Sequence, residues 1–201
     1  MKTLDRQDLH PDPLLQFARW FRAAQRCSAI EQADAFCLST LSPNGDLAGR
    51  MVLLKGFDGR GFSFYTNFRS LKAKSVLAYP KAAGTFYWEA LARQVRFVGR
   101  VERVTEEESD TYFRTRPRLS QLGAWASEQS VLLKSRAELD RRFDVYRKKF
   151  FGKEVPRPPH WGGFRIVPKE IEFWQARPNR LHDRFLYSWA GKRWKIRRLN
   201  P

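Results

Sequence analysis

The feature that most constrains this chain is a succession of short β-rich runs closed by turn signals, beginning at Ala35. Ala35–Leu41 is followed by Ser42-Pro43-Asn44-Gly45, Leu47–Phe57 is followed by Asp58-Gly59-Arg60-Gly61, and Phe62–Thr66 comes next. Such runs, bounded by Gly, Pro, Asn and Asp, predict three antiparallel strands joined by hairpins. Gly84–Trp88 and Arg93–Val104 continue the pattern, and Phe164–Val167, Ile171–Gln175, Phe185–Trp189 and Arg193–Leu199 resume it near the C-terminus. Strands this closely spaced, with helices inserted rather than alternating, argue against a doubly wound parallel sheet. The expected fold is mainly β with flanking helices (α+β), an antiparallel barrel closed or nearly closed so that few strand edges stay exposed.

The helices are punctuated clearly. Asp12-Pro13 caps a helix from Pro13 to about Gln25, with Leu14, Phe17, Ala18 and Phe21 as its apolar stripe. Ser70–Tyr79 reads as a short helix stopped by Pro80. Thr105 with Glu108 and Ser135 with Glu138 form capping boxes for helices to about Thr115 and Phe150. No repeat, low-complexity tract or long linker divides the chain, so residues 1–201 are expected to form one domain, with 1–12 a flexible N-terminal segment.

Composition narrows the partners. A chain of 201 residues can bury roughly 70% of its unfolded surface without staples. The two cysteines, Cys27 and Cys37, supply neither a disulfide framework nor a zinc cluster, so no metal is expected and a reducing cytoplasm is the expected location. The longest apolar runs, such as Met51–Leu54, are far below the ~20 residues a membrane helix needs. The 38 Lys+Arg against 21 Asp+Glu leave a net charge of +17, a field that recruits phosphate groups. That charge is spread along the chain. Its densest cluster, Arg141 to Lys149, is interrupted by Phe143, Val145 and Tyr146 and reads as a solvated helix face. Nucleic-acid binding without catalysis is therefore the rival reading, not the expected one.

GxSxG, HExxH, Walker and GxGxxG motifs are all missing, which leaves a bound organic cofactor as the natural source of chemistry. Three groups of residues could serve one. Tyr112, Arg116 and Ser120 recur every four residues, so Tyr112 and Arg116 could converge on one anion from a helix face, with Ser120 added from the turn after Pro117. Core packing of Tyr112 with solvated arginines is the plainer alternative. Arg50 and Lys55 end a strand-like run and would point to opposite faces. Arg180, His182 and Arg184 would share one face if extended, an arrangement repulsive without an anion to answer it. Trp125, Trp161 and Trp174 could line a flat cofactor, or pack in the core.

The segments Arg50-Met51-Val52-Leu53-Leu54-Lys55, Phe64-Tyr65-Thr66-Asn67, Arg93-Gln94-Val95, Ser120 to Ser127, Pro158 to Gly163, Ile171-Glu172-Phe173-Trp174-Gln175 and Arg180-Leu181-His182-Asp183-Arg184, in this order, closely resemble the pyridoxamine/pyridoxine 5′-phosphate oxidase family. The resemblance runs from about Asp12 to Pro201. It implies a split β-barrel homodimer with FMN at the subunit interface. It also implies oxidation of pyridoxamine or pyridoxine 5′-phosphate to pyridoxal 5′-phosphate, with O2 as acceptor and release of H2O2. A related flavin oxidase of another small ring compound is the nearest alternative.

By position in the matching motifs, the implied FMN contacts are Arg50, Met51, Val52, Leu53, Leu54, Lys55, Tyr65, Thr66, Lys72, Gln94, Gln129, Ser130, Trp174 and Arg184. The implied substrate contacts are Lys55, Tyr112, Arg116 and Ser120 for the phosphate, with Arg180 and His182 over the pyridine ring as catalytic residues. The chain departs from the family pattern twice. Leu71-Lys72 stands where an arginine-lysine pair is common, with Arg69 a candidate substitute, and residues 1–12 lack an Arg-Arg-Glu-Tyr-like motif that helps cover the substrate.

Overall fold

The computed structural model describes residues 3–201. Nine strands form one antiparallel sheet: β1 (Ala35–Leu41), β2 (Leu47–Leu53), β3 (Gly56–Asp58), β4 (Gly61–Asn67), β5 (Lys81–Trp88), β6 (Arg93–Arg103), β7 (Trp161–Gln175), β8 (Asp183–Trp189) and β9 (Trp194–Leu199). Five helices flank it among the described residues: α1 (Pro13–Arg26), α2 (Leu71–Ala78), α3 (Glu106–Thr115), α4 (Arg118–Ala126) and α5 (Arg136–Lys149). The sheet runs β2-β1-β5-β6-β7-β4-β3, with β8 and β9 branching from β7, so it curls into a half-barrel whose ladder does not close.

Two expected strands differ in the structure. Leu47–Phe57 breaks at Leu54-Lys55 into β2 and β3: Leu54 turns into the core with its N–H on the Asp34 carbonyl, and the Lys55 N–H switches to the Ser63 carbonyl of β4. The alternation argument for Arg50 and Lys55 therefore does not carry through to Lys55. β4 does not pair with β2; it pairs with β7.

The two expected C-terminal runs at Phe164–Val167 and Ile171–Gln175 are one strand, β7, which passes through Pro168 at a bulge. Val98 pairs with Glu170 and Gly99 with Pro168, leaving Lys169 as the extra residue. Gly99 is required there, since a Cβ would lie 2.0 Å from the Val167 carbonyl oxygen. The bulge marks a change of partner. One edge of β7 pairs with β6 from Phe164 to Gln175, while the other pairs with β4 at Trp161–Ile166 and with β8 at Glu170–Gln175.

The aromatic stripe of α1 fills the half-barrel. Phe17 is fully buried against Phe57, Phe62, Phe86 and Trp88, and Trp20 packs edge-on against Phe173. Burying each such ring is worth about 1.5–3 kcal/mol. A smaller core of Phe113, Leu122, Phe150, Val155 and Trp161 joins α3 and α4 to the start of β7.

The N-terminal segment packs closely in its described part. Leu4 and Leu9 are buried, the Leu4 N–H donates to Asp183 Oδ2 at 3.0 Å, and Tyr187 donates to the His10 carbonyl at 2.8 Å. Met1 and Lys2 lie outside the described residues. Cys27 and Cys37 are free thiols, each half-buried. No described helix is long and apolar enough to cross a membrane, and the described residues contain no group of three metal-ligating side chains.

Candidate functional site

A cleft of about 740 Å³ lies where β2, β4 and the start of β7 meet α2, α3 and α4. Of the expected residues, Met51, Val52, Leu53, Lys55, Tyr65, Thr66, Lys72, Tyr112, Arg116, Ser120 and Gln129 line it. Trp161, Asn67 and the α4 residues Gly123 and Ala124 complete the lining. The α4 residues were missed because that helix begins without a side-chain cap, at Pro117. The available signal was Pro117 itself, followed by Leu122 and Ala126 on one face.

One end of the cleft is cationic and aromatic. The Thr105–Glu108 capping box starts α3, and Pro117 stops it, so that Arg116 is the helix C-cap and its guanidinium turns inward. Arg116 Cζ lies 4.7 Å from the Trp161 ring centroid and 5.5 Å from that of Phe113. Its Nη1 is buried with no hydrogen-bond partner. Burial pulls the Arg116 pKa down, with Tyr112 pushing it back up. A half-buried guanidinium with an unanswered N–H is a costly arrangement alone and an effective one around an anion. Tyr65, Tyr112 and Trp161 stack beside it, with centroids 4.1 Å apart for Tyr65–Tyr112 and 5.4 Å for Tyr65–Trp161. The Tyr65 hydroxyl, its pKa raised first by burial and then by the charge of Glu108, donates to the Glu108 carbonyl. Lys55 also lines the cleft, paired at 2.8 Å with Asp34.

The other end is built around Lys72, on the first turn of α2, whose N-cap is Ser70. Lys72 Nζ lies 3.2 Å from Gln129 Oε1 and 3.4 Å from Thr66 Oγ1, both neutral partners. Burial, and then the charge of Arg50, pull its pKa down. Ser130, in the left-handed region at φ 71°, accepts from the Leu71 N–H at 3.3 Å. Arg50 does not line the cleft; it folds back onto Thr40 Oγ1 (2.6 Å) and the Leu38 and Ala48 carbonyls. Arg69 is exposed and does not line the cleft, so Arg50, whose charge Lys72 feels, is the nearer second cation. The Leu71 side chain is exposed. Leu54, turned into the core, can offer a ligand only its backbone.

The remaining expected residues form a second group, at the far end of β7. Gln94, Trp174 and Arg184 are cross-strand neighbours on β6, β7 and β8 and so share one face. On that face Glu172, buried, binds Arg184 Nε at 2.7 Å and Arg96 Nη2 at 2.6 Å. His182 packs 4.6 Å from Trp174, and its Nδ1 accepts from the Arg177 N–H. The expected alternation of Arg180, His182 and Arg184 along an extended run does not occur. Pro178 starts a 3-10 turn, Asn179 and Arg180 take positive φ (57° and 61°), and β8 begins only at Asp183. Arg180 is exposed and makes no hydrogen bond or ion pair among the described residues. Left-handed backbone at a non-glycine residue costs of order 1–3 kcal/mol and gathers at functional sites. Of the candidate tryptophans, Trp161 lines the cleft, Trp174 belongs to the second group, and Trp125 packs on Tyr146 and Phe150.

Trp161 and Trp174 are thirteen residues apart on one strand, a span of up to about 43 Å at ~3.3 Å per residue. The two groups of candidate residues therefore lie in different neighbourhoods of one chain.

An open antiparallel half-barrel with inserted helices, divided in this way, puts the chain in the split-barrel class. It belongs to the pyridoxamine 5′-phosphate oxidase family: the family model with that description matches residues 24–175, and a pyridoxine 5′-phosphate oxidase C-terminal dimerisation region matches residues 161–201. A pyridoxine/pyridoxamine 5′-phosphate oxidase from Gloeothece citriformis is 50% identical over 199 residues, covering 98% of this chain and 92% of the relative. Among solved structures, PhzG from Burkholderia lata, in complex with tetrahydrophenazine-1-carboxylic acid, superposes with a TM-score of 0.92 at 29% identity, covering 100% and 98% of the two chains. A pyridoxamine 5′-phosphate oxidase-related FMN-binding protein from Nostoc punctiforme shares the fold, with a TM-score of 0.75 at 17% identity and coverage of 96% and 100%.

Proposed function

We propose that this chain is an FMN-dependent oxidase that converts pyridoxamine and pyridoxine 5′-phosphate to pyridoxal 5′-phosphate, with O2 as acceptor and H2O2 as co-product. The observation that carries the reading is the pair of cationic ends in one aromatic-walled cleft: Arg116 with its unanswered Nη1, and Lys72 among neutral acceptors. Two phosphorylated ligands, a cofactor and a substrate, would use both.

Lys72, Thr66 and Gln129 would hold the FMN phosphate, with Arg50 adding charge behind them and the backbone of residues 51–55 flanking the flavin. When bound, FMN supplies a hydride acceptor for the substrate C4′ carbon and a route for its two electrons to O2. Arg116, Lys55, Tyr112 and Ser120 would hold the substrate phosphate, and the Tyr65–Tyr112–Trp161 stack would keep water from that end of the cleft. Arg180 and His182 of the partner subunit would orient the pyridine ring, with Gln94, Trp174 and Arg184 of the partner subunit closing on the flavin. A two-fold dimer uses the same patch on both chains, so each cleft would receive the other chain's second half-site.

The test is reconstitution. The purified protein with FMN, given either phosphorylated substrate in air, is expected to yield pyridoxal 5′-phosphate and H2O2 in equal amounts. FMN binding without either product would overturn the substrate assignment. A second reading, oxidation of another ring compound bearing a carboxylate, is favoured by the similarity to PhzG. It predicts turnover that persists when the substrate lacks a phosphate.

A further inference from the structure

Arg157 has no place in the site described above, yet all three of its guanidinium nitrogens are engaged beside it. It sits in the Pro-rich link ahead of β7, its side chain 9% exposed. Its Nε donates to Asp110 Oδ1 at 2.6 Å, its Nη2 to Glu106, and its Nη1 to the Trp161 carbonyl oxygen at 2.6 Å. Glu106 and Asp110 are one turn apart on α3, the helix that carries Tyr112 and ends at Arg116. Trp161 begins β7 and supplies the ring over which Arg116 lies. One guanidinium thus ties the first two turns of α3 to the residue that opens β7 and carries the ring over which the Arg116 fork lies.

We propose that Arg157 is a positioning residue for phosphate recognition: it fixes α3 against Trp161 so that Tyr112 and Arg116 present a preformed anion clamp. The inference rests on the reading of Arg116 as a phosphate ligand. Its physical basis is specific to arginine. Three donors leave one planar group in fixed directions, whereas a lysine at the same place has one ammonium and no fork. Removing the charge also leaves Glu106 and Asp110 facing each other as like charges at i,i+4, which loosens the start of α3. Two other ties join α3 to β7, Ser109 Oγ accepting from the Gly163 N–H at 3.3 Å and Arg165 Nη2 donating to Glu108 Oε1 at 2.7 Å, but neither engages Trp161, the residue that sets the ring under Arg116.

The effect is expected on ligands with a phosphate and not on those without. Arg157→Gln and Arg157→Lys are compared with wild type in the FMN-loaded protein. The equilibrium affinities for pyridoxal 5′-phosphate and for unphosphorylated pyridoxal are measured by titration calorimetry, alongside FMN affinity and melting temperature. Arg157→Gln is expected to weaken pyridoxal 5′-phosphate about 10-fold, a scale in keeping with small misplacement of a binding group, and to leave pyridoxal unchanged. Arg157→Lys is expected to fall between. Turnover assays on the same samples should show a raised KM with kcat within about twofold of wild type. A lower melting temperature with unchanged phosphate discrimination would reduce Arg157 to a structural link and overturn the proposal. So would equal weakening of both ligands. Because binding is read directly, wild-type protein that binds pyridoxal 5′-phosphate without turning over substrate would sink the oxidase reading while leaving the positioning role supported or refuted by the variants.

Discussion

At the residue scale the protein holds two cations at a cost. Arg116 keeps Nη1 buried and unpartnered over Trp161, so its removal should leave the fold intact and cost substrate affinity. A charged hydrogen bond is worth about 1.5–3 kcal/mol, so Arg116→Ala should raise KM for pyridoxine 5′-phosphate roughly 10- to 100-fold, with FMN affinity unchanged. Steady-state kinetics beside an FMN titration checks this. Lys72 gives a pH signature. Burial and Arg50 lower its pKa, so between that lowered value and its ordinary one the unfolded chain binds more protons, and stability without ligand rises with pH. Anion affinity runs the other way, since phosphate needs the ammonium form. FMN affinity should therefore fall as pH rises through the lowered Lys72 pKa. Lys72→Arg should keep its affinity through that range, and identical pH curves for the two proteins would refute the assignment.

At the element scale, β7 is the organising piece and its bulge is the joint. Gly99→Ala places a methyl group against the Val167 carbonyl, which should cost about 1–3 kcal/mol and disturb both half-sites, because the bulge lies between them. Denaturant unfolding gives the stability change, and FMN titration shows whether the cofactor site moves with it. The same strand shows where sequence reading reached its limit. Local signals were strong at α1, where Asp12-Pro13 and the Phe17–Phe21 stripe mark the helix, and at α3, where Thr105 and Glu108 cap each other as expected. They failed where tertiary pairing decides. Pro168 reads as a break between two strands, and only the pairing with β6 carries the chain through it. Pro117 hides α4 because that helix has no side-chain cap. Arg180 reads as extended because nothing in its own sequence announces two successive positive φ values, which the turn after Pro178 imposes.

At the scale of the whole molecule, the residues expected to share one site fall into two groups at opposite ends of a fifteen-residue strand. Their order along the sequence was legible through the family resemblance; their separation in space was not, since spacing along a chain does not tell which copy of a chain a side chain serves. The match of a dimerisation region to residues 161–201, the stretch that carries the second group, fits assembly of each site from two chains. The charge of +17 fits the same picture locally, with cations at both ends of the cleft and at the exposed Arg180. The most direct test is complementation between two impaired variants, assayed at a substrate concentration below the wild-type KM, where each alone turns over slowly. Arg116→Ala and Arg180→Ala are each purified with FMN, then co-refolded in equal amounts so that subunits exchange at random. If each site takes Arg116 from one chain and Arg180 from the other, half of the dimers are mixed and each mixed dimer regains one intact site, restoring about a quarter of wild-type activity. Activity no higher than the mean of the two variants alone would contradict the shared site and place both arginines in the same chain's site.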